Sequence, residues 1–305
     1  MSHLYTSHGP LEMPQAGLIL PHEHVFVDLR PQDTPGFAQA EAEDVVRLMA
    51  PELERARQSG VSVLVECTPE GVGRRADLVL AAARAAGLPV ALATGIYREP
   101  WVPAWAYRAN EGELAEWMRA ELEQGIGQTG VRAAFIKLSA GDDGLTPVET
   151  RILHAAAQAA QATGAVIASH TIRGRVVSDQ LDLLERVGYD LRRFIWVHTQ
   201  AEPDPAYHLA AAQRGAWLEF DDIGSQDTDR AAIASIRSAL SAGYGRQVLL
   251  SMDRGWYAPG QAGGGAPRPY TYFCEIFVPA LRDAGFDDAT IRRLTVENPF
   301  HAFAR

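Results

Sequence analysis

Eight short apolar runs punctuate the chain, at Leu18–Leu20, Val61–Cys67, Pro89–Thr94, Ala133–Leu138, Val166–Ser169, Phe194–Val197, Trp217–Phe220 and Val248–Met252. Most are nearly continuous in apolar residues rather than alternating, the pattern of strands covered on both faces in a parallel sheet. Between them the apolar positions recur with helical period. Ala40–Gln58 is amphipathic and is followed by Gly60, which suits a helix end, and Asp77–Ala86 stops before Gly87 and Pro89. Glu111–Gln124, Pro147–Thr163, Val176–Val187, Pro205–Arg214 and Asp229–Ala242 repeat the scheme, with Thr146 and Asp204 as N-caps ahead of Pro147 and Pro205. Tyr272–Ala284 and Ala289–Leu294 are the closing helical patterns.

Strand and helix alternate with no linker, and every interval is long enough for a right-handed crossover. Eight such units predict an α/β fold, a (β/α)8 TIM barrel, as a single domain over residues 1–305. The competing architecture is an open doubly wound sheet. It is disfavoured because Pro21-His22-Glu23-His24 stands after the first strand, where a Gly-rich dinucleotide fingerprint would belong. Gly and Pro concentrate in Arg98–Pro103 and Gly255–Pro269; the latter contains Gly263-Gly264-Gly265 and is expected to be the most mobile loop, a candidate lid.

Composition narrows the class of partner. A formal net charge of −10 and a pI near 5.4 argue against nucleic acid or an anionic membrane. No apolar run reaches the roughly 18 residues of a membrane span, and the N-terminal segment lacks the pattern of a signal peptide. Cys67 and Cys274 are far apart and form no C-x-x-C pair, so free thiols in a reducing compartment are expected. The expectation is a soluble cytoplasmic protein with a small-molecule partner.

Of the 28 basic residues only Lys137 is a lysine, and it lies within the apolar run Ala133-Ala134-Phe135-Ile136-Lys137-Leu138-Ser139. A buried ammonium is costly unless paired, neutralised or chemically changed. It can snorkel to water or pair with a carboxylate. A neutral amine can also add carbon dioxide to give an anionic carbamate, whose two oxygens suit divalent metals. The C-terminal ends of barrel strands are where chemistry is built. There the chain places His22 and His24 on strand 1, Lys137 on strand 4, His170 on strand 5, His198 on strand 6 and Asp253 after strand 8. A lone strand-end histidine is commonly a hydrogen-bonded structural residue, and an aspartate there commonly caps a helix. Five strands delivering N or O ligands to one end, using four of the nine histidines, point instead to a metal centre.

His22-x-His24, Lys137, His170, His198 and Asp253, in that order and strand placement, resemble the phosphotriesterase family of the amidohydrolase superfamily. The likeness extends through Leu20-Pro21-His22-Glu23-His24, Ala93-Thr94-Gly95-Ile96-Tyr97, the stretch from Trp217 to Gly224, and the closing stretch from Leu294 to Phe300. The resemblance implies two divalent ions, with zinc the first expectation and Co, Mn or Fe compatible. His22, His24 and Asp253 would hold one ion and His170 and His198 the other, bridged by Lys137 as N6-carboxylysine and by a hydroxide. Asp253 would accept the proton of the attacking hydroxide. An acid shortly after the strand 6 histidine assists in the family; here Glu202 and Asp204 both qualify, each with an ordinary role as a loop carboxylate or helix cap.

Tyr97 resembles the tyrosine of the phosphotriesterase-like lactonases, where phosphotriesterases proper carry tryptophan. Asp222 departs from the arginine typical of acyl-homoserine lactonases. Asp222, Arg254, Trp256 and Tyr257 are candidate substrate contacts, the two aromatics being equally suited to a dimer interface. The resemblance thus implies a lactonase, or cyclic-ester hydrolase, with promiscuous organophosphate hydrolysis, and a homodimer. The alternatives are a phosphotriesterase proper or amide hydrolase on the same site, or a catalytically idle metal-binding barrel.

Overall fold

The protein is described by a computed structural model covering residues 2–305, so Met1 of the N-terminal segment lies outside the described residues. Eight parallel strands build the barrel: β1 (Leu18–Phe26), β2 (Val61–Glu66), β3 (Val90–Thr94), β4 (Phe135–Ser139), β5 (Ile167–His170), β6 (Phe194–Val197), β7 (Trp217–Phe220) and β8 (Val248–Leu250). The sheet runs in sequence order from β1 to β8, as a barrel requires, and helices cover its outer face. The fold is therefore the expected TIM barrel. Among the described residues no helix is long and apolar enough to cross a membrane.

Two apolar layers explain the continuous strand runs. Val90, Leu92, Ile136, Phe194, Trp196, Val248 and Leu250 face outward and pack beneath the helices. Val63, Val65, Ala91, Ala93, Phe135, Ala168, Ile195, Val197 and Leu249 face inward and fill the barrel. Phe300 and Phe303 from the C-terminal helix, with Leu4 from an N-terminal hairpin (Leu4–Thr6 with Gly9–Leu11), close the barrel's lower end. The site must then lie at the other end.

Element bounds shift where local packing outweighs periodicity. β1 continues through His22-Glu23-His24 to Phe26, well past Leu20, whereas β8 stops at Leu250 rather than Met252. The helix Ala104–Arg108 and the N-terminal hairpin carried no periodic signal, being too short for one. Gly255–Tyr257, part of the expected lid loop, is instead a strand paired in parallel with the upper half of β1, Gly255 opposite His24 and Tyr257 opposite Phe26. Cys67 and Cys274 are both free thiols.

The junction between β8 and β1 differs from the other seven. No ladder joins them; the buried side chain of Glu23 does. Its Oε1 accepts from Ser251 Oγ at 2.9 Å and from the Met252 amide at 3.1 Å, and its Oε2 accepts from the Arg254 amide at 2.7 Å. Ser251 Oγ also accepts from the His22 amide at 3.0 Å, and the Asp253 amide donates to the His22 carbonyl at 3.2 Å. Burial pushes the Glu23 carboxyl up to about 8 against the pull of its three donors. Each donor would otherwise be stranded in the interior. Glu23→Ala should lower unfolding stability by about 3 kcal/mol or more, and Glu23→Gln, which keeps an acceptor oxygen, by less. Urea unfolding followed by circular dichroism checks both.

Candidate metal centre

The polar groups at the open end are aimed by departures from regular strand geometry. In β1, Ile19 faces the barrel interior and Leu20 the helices, so strict alternation would turn His22 and His24 outward. Between Leu20 and Glu23 the register against β2 slips by one residue, because Leu20 pairs with Leu64 but Glu23 with Glu66. This bulge reverses the phase and brings both histidines inward. β6 achieves the same end differently. Val197 faces in, so His198 would face out, but its φ of 64° ends the strand and swings the imidazole back over the mouth. Asp253 has a φ of 49° and lies just beyond β8. Lys137 and His170 need no such device, since each follows an inward residue, Phe135 or Ala168, by two positions.

The result is one cavity of about 170 Å³ lined by His22, His24, Lys137, His170, His198 and Asp253, together with Cys67, Tyr97, Trp256 and apolar loop residues. His24 Nε2 lies 3.1 Å and His22 Nε2 3.8 Å from Asp253 Oδ1. His198 Nε2 and His170 Nδ1 approach to 2.7 Å, and the Tyr97 hydroxyl is 3.3 Å from the same His170 nitrogen. His22, His198 and Asp253 each bring one ligand atom within 4.8 Å of the others. Lys137 is 2% exposed.

Away from the cavity, three of the four imidazoles are held by an oxygen. His22 Nδ1 lies 2.6 Å from Glu219 Oε1 and 3.1 Å from Asp221 Oδ2. His24 Nδ1 lies 2.7 Å from Thr68 Oγ1, whose hydroxyl also bonds Glu66 at 2.5 Å. His198 Nδ1 lies 2.8 Å from Asp221 Oδ1. Nitrogens anchored outward leave their ring partners directed inward, the arrangement that metal-ligating histidines use.

Charge within this shell is unevenly placed. Burial, then the Lys137 charge, lowers His22 to about 4 against Asp221 and Asp253. Burial, then His198 and Lys137, holds His170 well below its ordinary value. Burial also disfavours a charged His24, but Asp253 and Glu66 outweigh it and raise the group to about 9. Burial opposes ionisation of Asp253, yet the surrounding imidazoles hold its carboxyl far below the usual range. Of the inner pair on β7, burial and the Asp221 charge push Glu219 well above the usual carboxylate range, while His198 and His22 hold Asp221 well below it against burial. Four imidazoles, a carboxylate and a buried amine facing one small cavity are a donor set that fits divalent cations.

The other predicted contacts fall in different places. Trp256 lines the cavity, its ring edge-on to His24 at 5.8 Å. Asp222 is exposed and does not line it. The Arg254 guanidinium donates to the Gly224 carbonyl at 2.7 Å and lies 4.8 Å over the Tyr272 ring. Tyr257 is buried and stacked on Phe26 at 5.8 Å. Glu202 accepts from the Gly174 and Asp204 amides, and Asp204 caps the helix Pro205–Gln213 through the Ala206 amide. The supporting residues Glu66, Thr68, Glu219 and Asp221 were not singled out from sequence. Glu219 and Asp221 had a readable signal: an acid pair two apart on one strand shares a face, as the H-x-H pair does.

Comparison with known proteins bears on the family and the fold. The profile of the phosphotriesterase family matches residues 2–303. A phosphotriesterase homology protein of Escherichia coli strain K12 is 31% identical over 292 residues, covering 94% of this chain and 98% of its own. An aryldialkylphosphatase of Saccharolobus solfataricus is 26% identical over 307 residues, covering 96% and 97%. Among solved structures, a mutant of a Deinococcus radiodurans PTE-like lactonase superposes with a TM-score of 0.85 at 29% identity, covering 98% of this chain and 99% of that one. With the barrel and the whole-chain match in agreement, this hydrolase belongs to the phosphotriesterase family.

Proposed function

We propose that this hydrolase is a binuclear metal-dependent lactonase with weak promiscuous organophosphate hydrolysis. The observation that carries the reading is the single cavity shared by all six candidate ligands and the Tyr97 hydroxyl. The relatives support it: one solved neighbour, 29% identical with a TM-score of 0.86, is described as organophosphate hydrolysis engineered from a weak promiscuous lactonase template.

His22, His24 and Asp253 would hold one ion and His170 and His198 the second, with Lys137 contributing to both as its carbamate. The ions, zinc by first expectation, supply Lewis acidity and a water acidic enough to react at neutral pH. Lys137 suits carbamylation because it is buried and, among the described residues, has no salt-bridge partner. Asp253 can take up a proton at its carboxylate and, 36% exposed at the side chain, pass it outward. The Tyr97 hydroxyl beside His170 orients the ester carbonyl, and Val27, Leu29, Val72 and Trp256 give the ring an apolar wall. An adjoining cavity of about 420 Å³ shares Val27, Leu29 and Trp256 and can take a substituent. Asp222 at the rim disfavours an anionic substrate, whereas Arg254 and Tyr257 act as supports of the mouth.

Lys137→Ala should cost more than the 10–100-fold typical of losing an outer partner of a ligand. Bicarbonate or a short carboxylic acid should restore part of that activity, as read in steady-state assays at saturating metal. Stripping metal with a chelator should abolish hydrolysis, with recovery on adding back two equivalents of divalent ion. On a panel of lactones and paraoxon, kcat/KM should favour a lactone; a triester preferred by orders of magnitude would overturn the lactonase reading.

A further inference from the structure

One side chain outside the cavity bonds twice to Asp221, the carboxylate behind two of the candidate ligands. Gln200, half-buried, follows His198 in the turn Thr199–Ala201. Its Nε2 donates to Asp221 Oδ1 at 2.6 Å, and its Oε1 accepts from the Asp221 amide at 3.2 Å. Asp221 in turn accepts from the His198 backbone amide at 3.2 Å and faces the His198 and His22 rings. Asp221 is thus held between Gln200 and His198 by two hydrogen bonds to each.

We propose that Gln200 is a positioning residue that sets the angle at which Asp221 presents His198 to the cavity. The inference rests on the two-ion reading above. A primary amide suits the role because it offers one donor and one acceptor, and Asp221 presents one of each. Through Asp221 this pairing also braces a strained residue, since His198 holds a left-handed φ of 64° that its Cβ disfavours.

The two imidazoles on Asp221 do not depend on it equally. His22 Nδ1 has Glu219 at 2.6 Å as a second anchor, and His22 sits within β1. His198 Nδ1 has Asp221, and His198 lies beyond the end of β6. Loosening Asp221 therefore falls on the ion that His198 holds with His170 and spares the one held by His22, His24 and Asp253. Gln200 also borders a separate cavity of about 380 Å³ behind β7, between Pro205–Gln213 and Gln226–Ser241, so a substitute side chain has room.

The test is a Co2+ titration of the metal-free full-length protein, read by the visible absorption of the bound ion. Gln200→Met keeps the length and loses both hydrogen bonds; Gln200→Glu keeps the acceptor and turns the donor into a second carboxylate against Asp221. In both variants one equivalent should bind as in the wild type and the other about 10–100-fold more weakly, the range for outer partners of ligating histidines. The spectrum of the weakened equivalent should change, while thermal unfolding of the metal-free proteins stays near that of the wild type. Should the Met variant fail to fold, the near-isosteric Glu variant decides. Two equivalents bound as in the wild type, or both weakened alike, would overturn the positioning role. A wild type that takes fewer than two equivalents overturns the two-ion reading itself, and the inference falls with it.

Discussion

The buried carboxyl group of Glu23 ties the barrel together at the one junction between consecutive barrel strands that has no ladder, and the site depends on that exchange. Strands bound by ladders on both sides have fixed pleat and register, which leaves little freedom to aim a side chain. At the β8–β1 junction the ladder is replaced by three donors converging on one side chain. The backbone there is free to adopt a φ of 49° at Asp253, while on its other edge β1 bulges against β2 after Leu20. Both departures are needed to set His22, His24 and Asp253 facing one another. Left-handed residues of this kind cost on the order of 1–3 kcal/mol each. Glu23 supplies the compensating order, and its neighbours in sequence are the two histidines that benefit from it.

The second constraint is electrostatic. Four carboxyl groups, Glu66, Glu219, Asp221 and Asp253, surround the imidazoles, and two of them, Glu219 and Asp221, are buried side by side. Like charges this close do not both ionise, so one acid takes the charge and the other keeps its proton. Asp221 is the ionised member because both His198 and His22 face it; Glu219 has His22 alone. This division matters for the ligands. An ionised Asp221 fixes the tautomer of His198 with its proton on Nδ1, which leaves Nε2 directed into the cavity.

Much of this was legible in the sequence, for identifiable reasons. Buried parallel strands read as continuous apolar runs, so eight runs separated by helical periods gave the barrel. Lys137 stood out because it is the only lysine and lies inside such a run. His22 and His24 were legible as a pair, but their direction was not: a one-residue bulge is invisible to periodicity and alone turns them inward. The same holds for His198, whose left-handed backbone no residue type announced, since the position is neither Gly nor Asn. Gly255–Tyr257 read as a mobile loop because glycine and proline surround it, yet its three residues find unpaired edge on the upper half of β1. Tertiary pairing outweighed local composition there. Glu219 escaped attention because an acid in a strand reads as a solvated face, and only the closed barrel shows that face to be the interior.

A division of labour follows from where each group is anchored. The floor of the 170 Å³ cavity is made by strand-end residues tied to the ladder or the junction, and its histidines share hydrogen bonds with buried partners. The walls are made by loop residues with few such ties. Leu29 is 54% exposed and borders three adjoining spaces: the reaction cavity, the 420 Å³ cavity it shares with Trp256, and a 530 Å³ cavity walled by Pro100, Trp101 and Tyr107. Leu29 therefore stands where all three spaces meet. A substitution at Leu29 alters the volume of these spaces without touching the imidazoles or their oxygen partners. The two parts of the cavity are thus held by different interactions, the floor by hydrogen bonds to strand ends and the junction, the walls by apolar packing of loop residues.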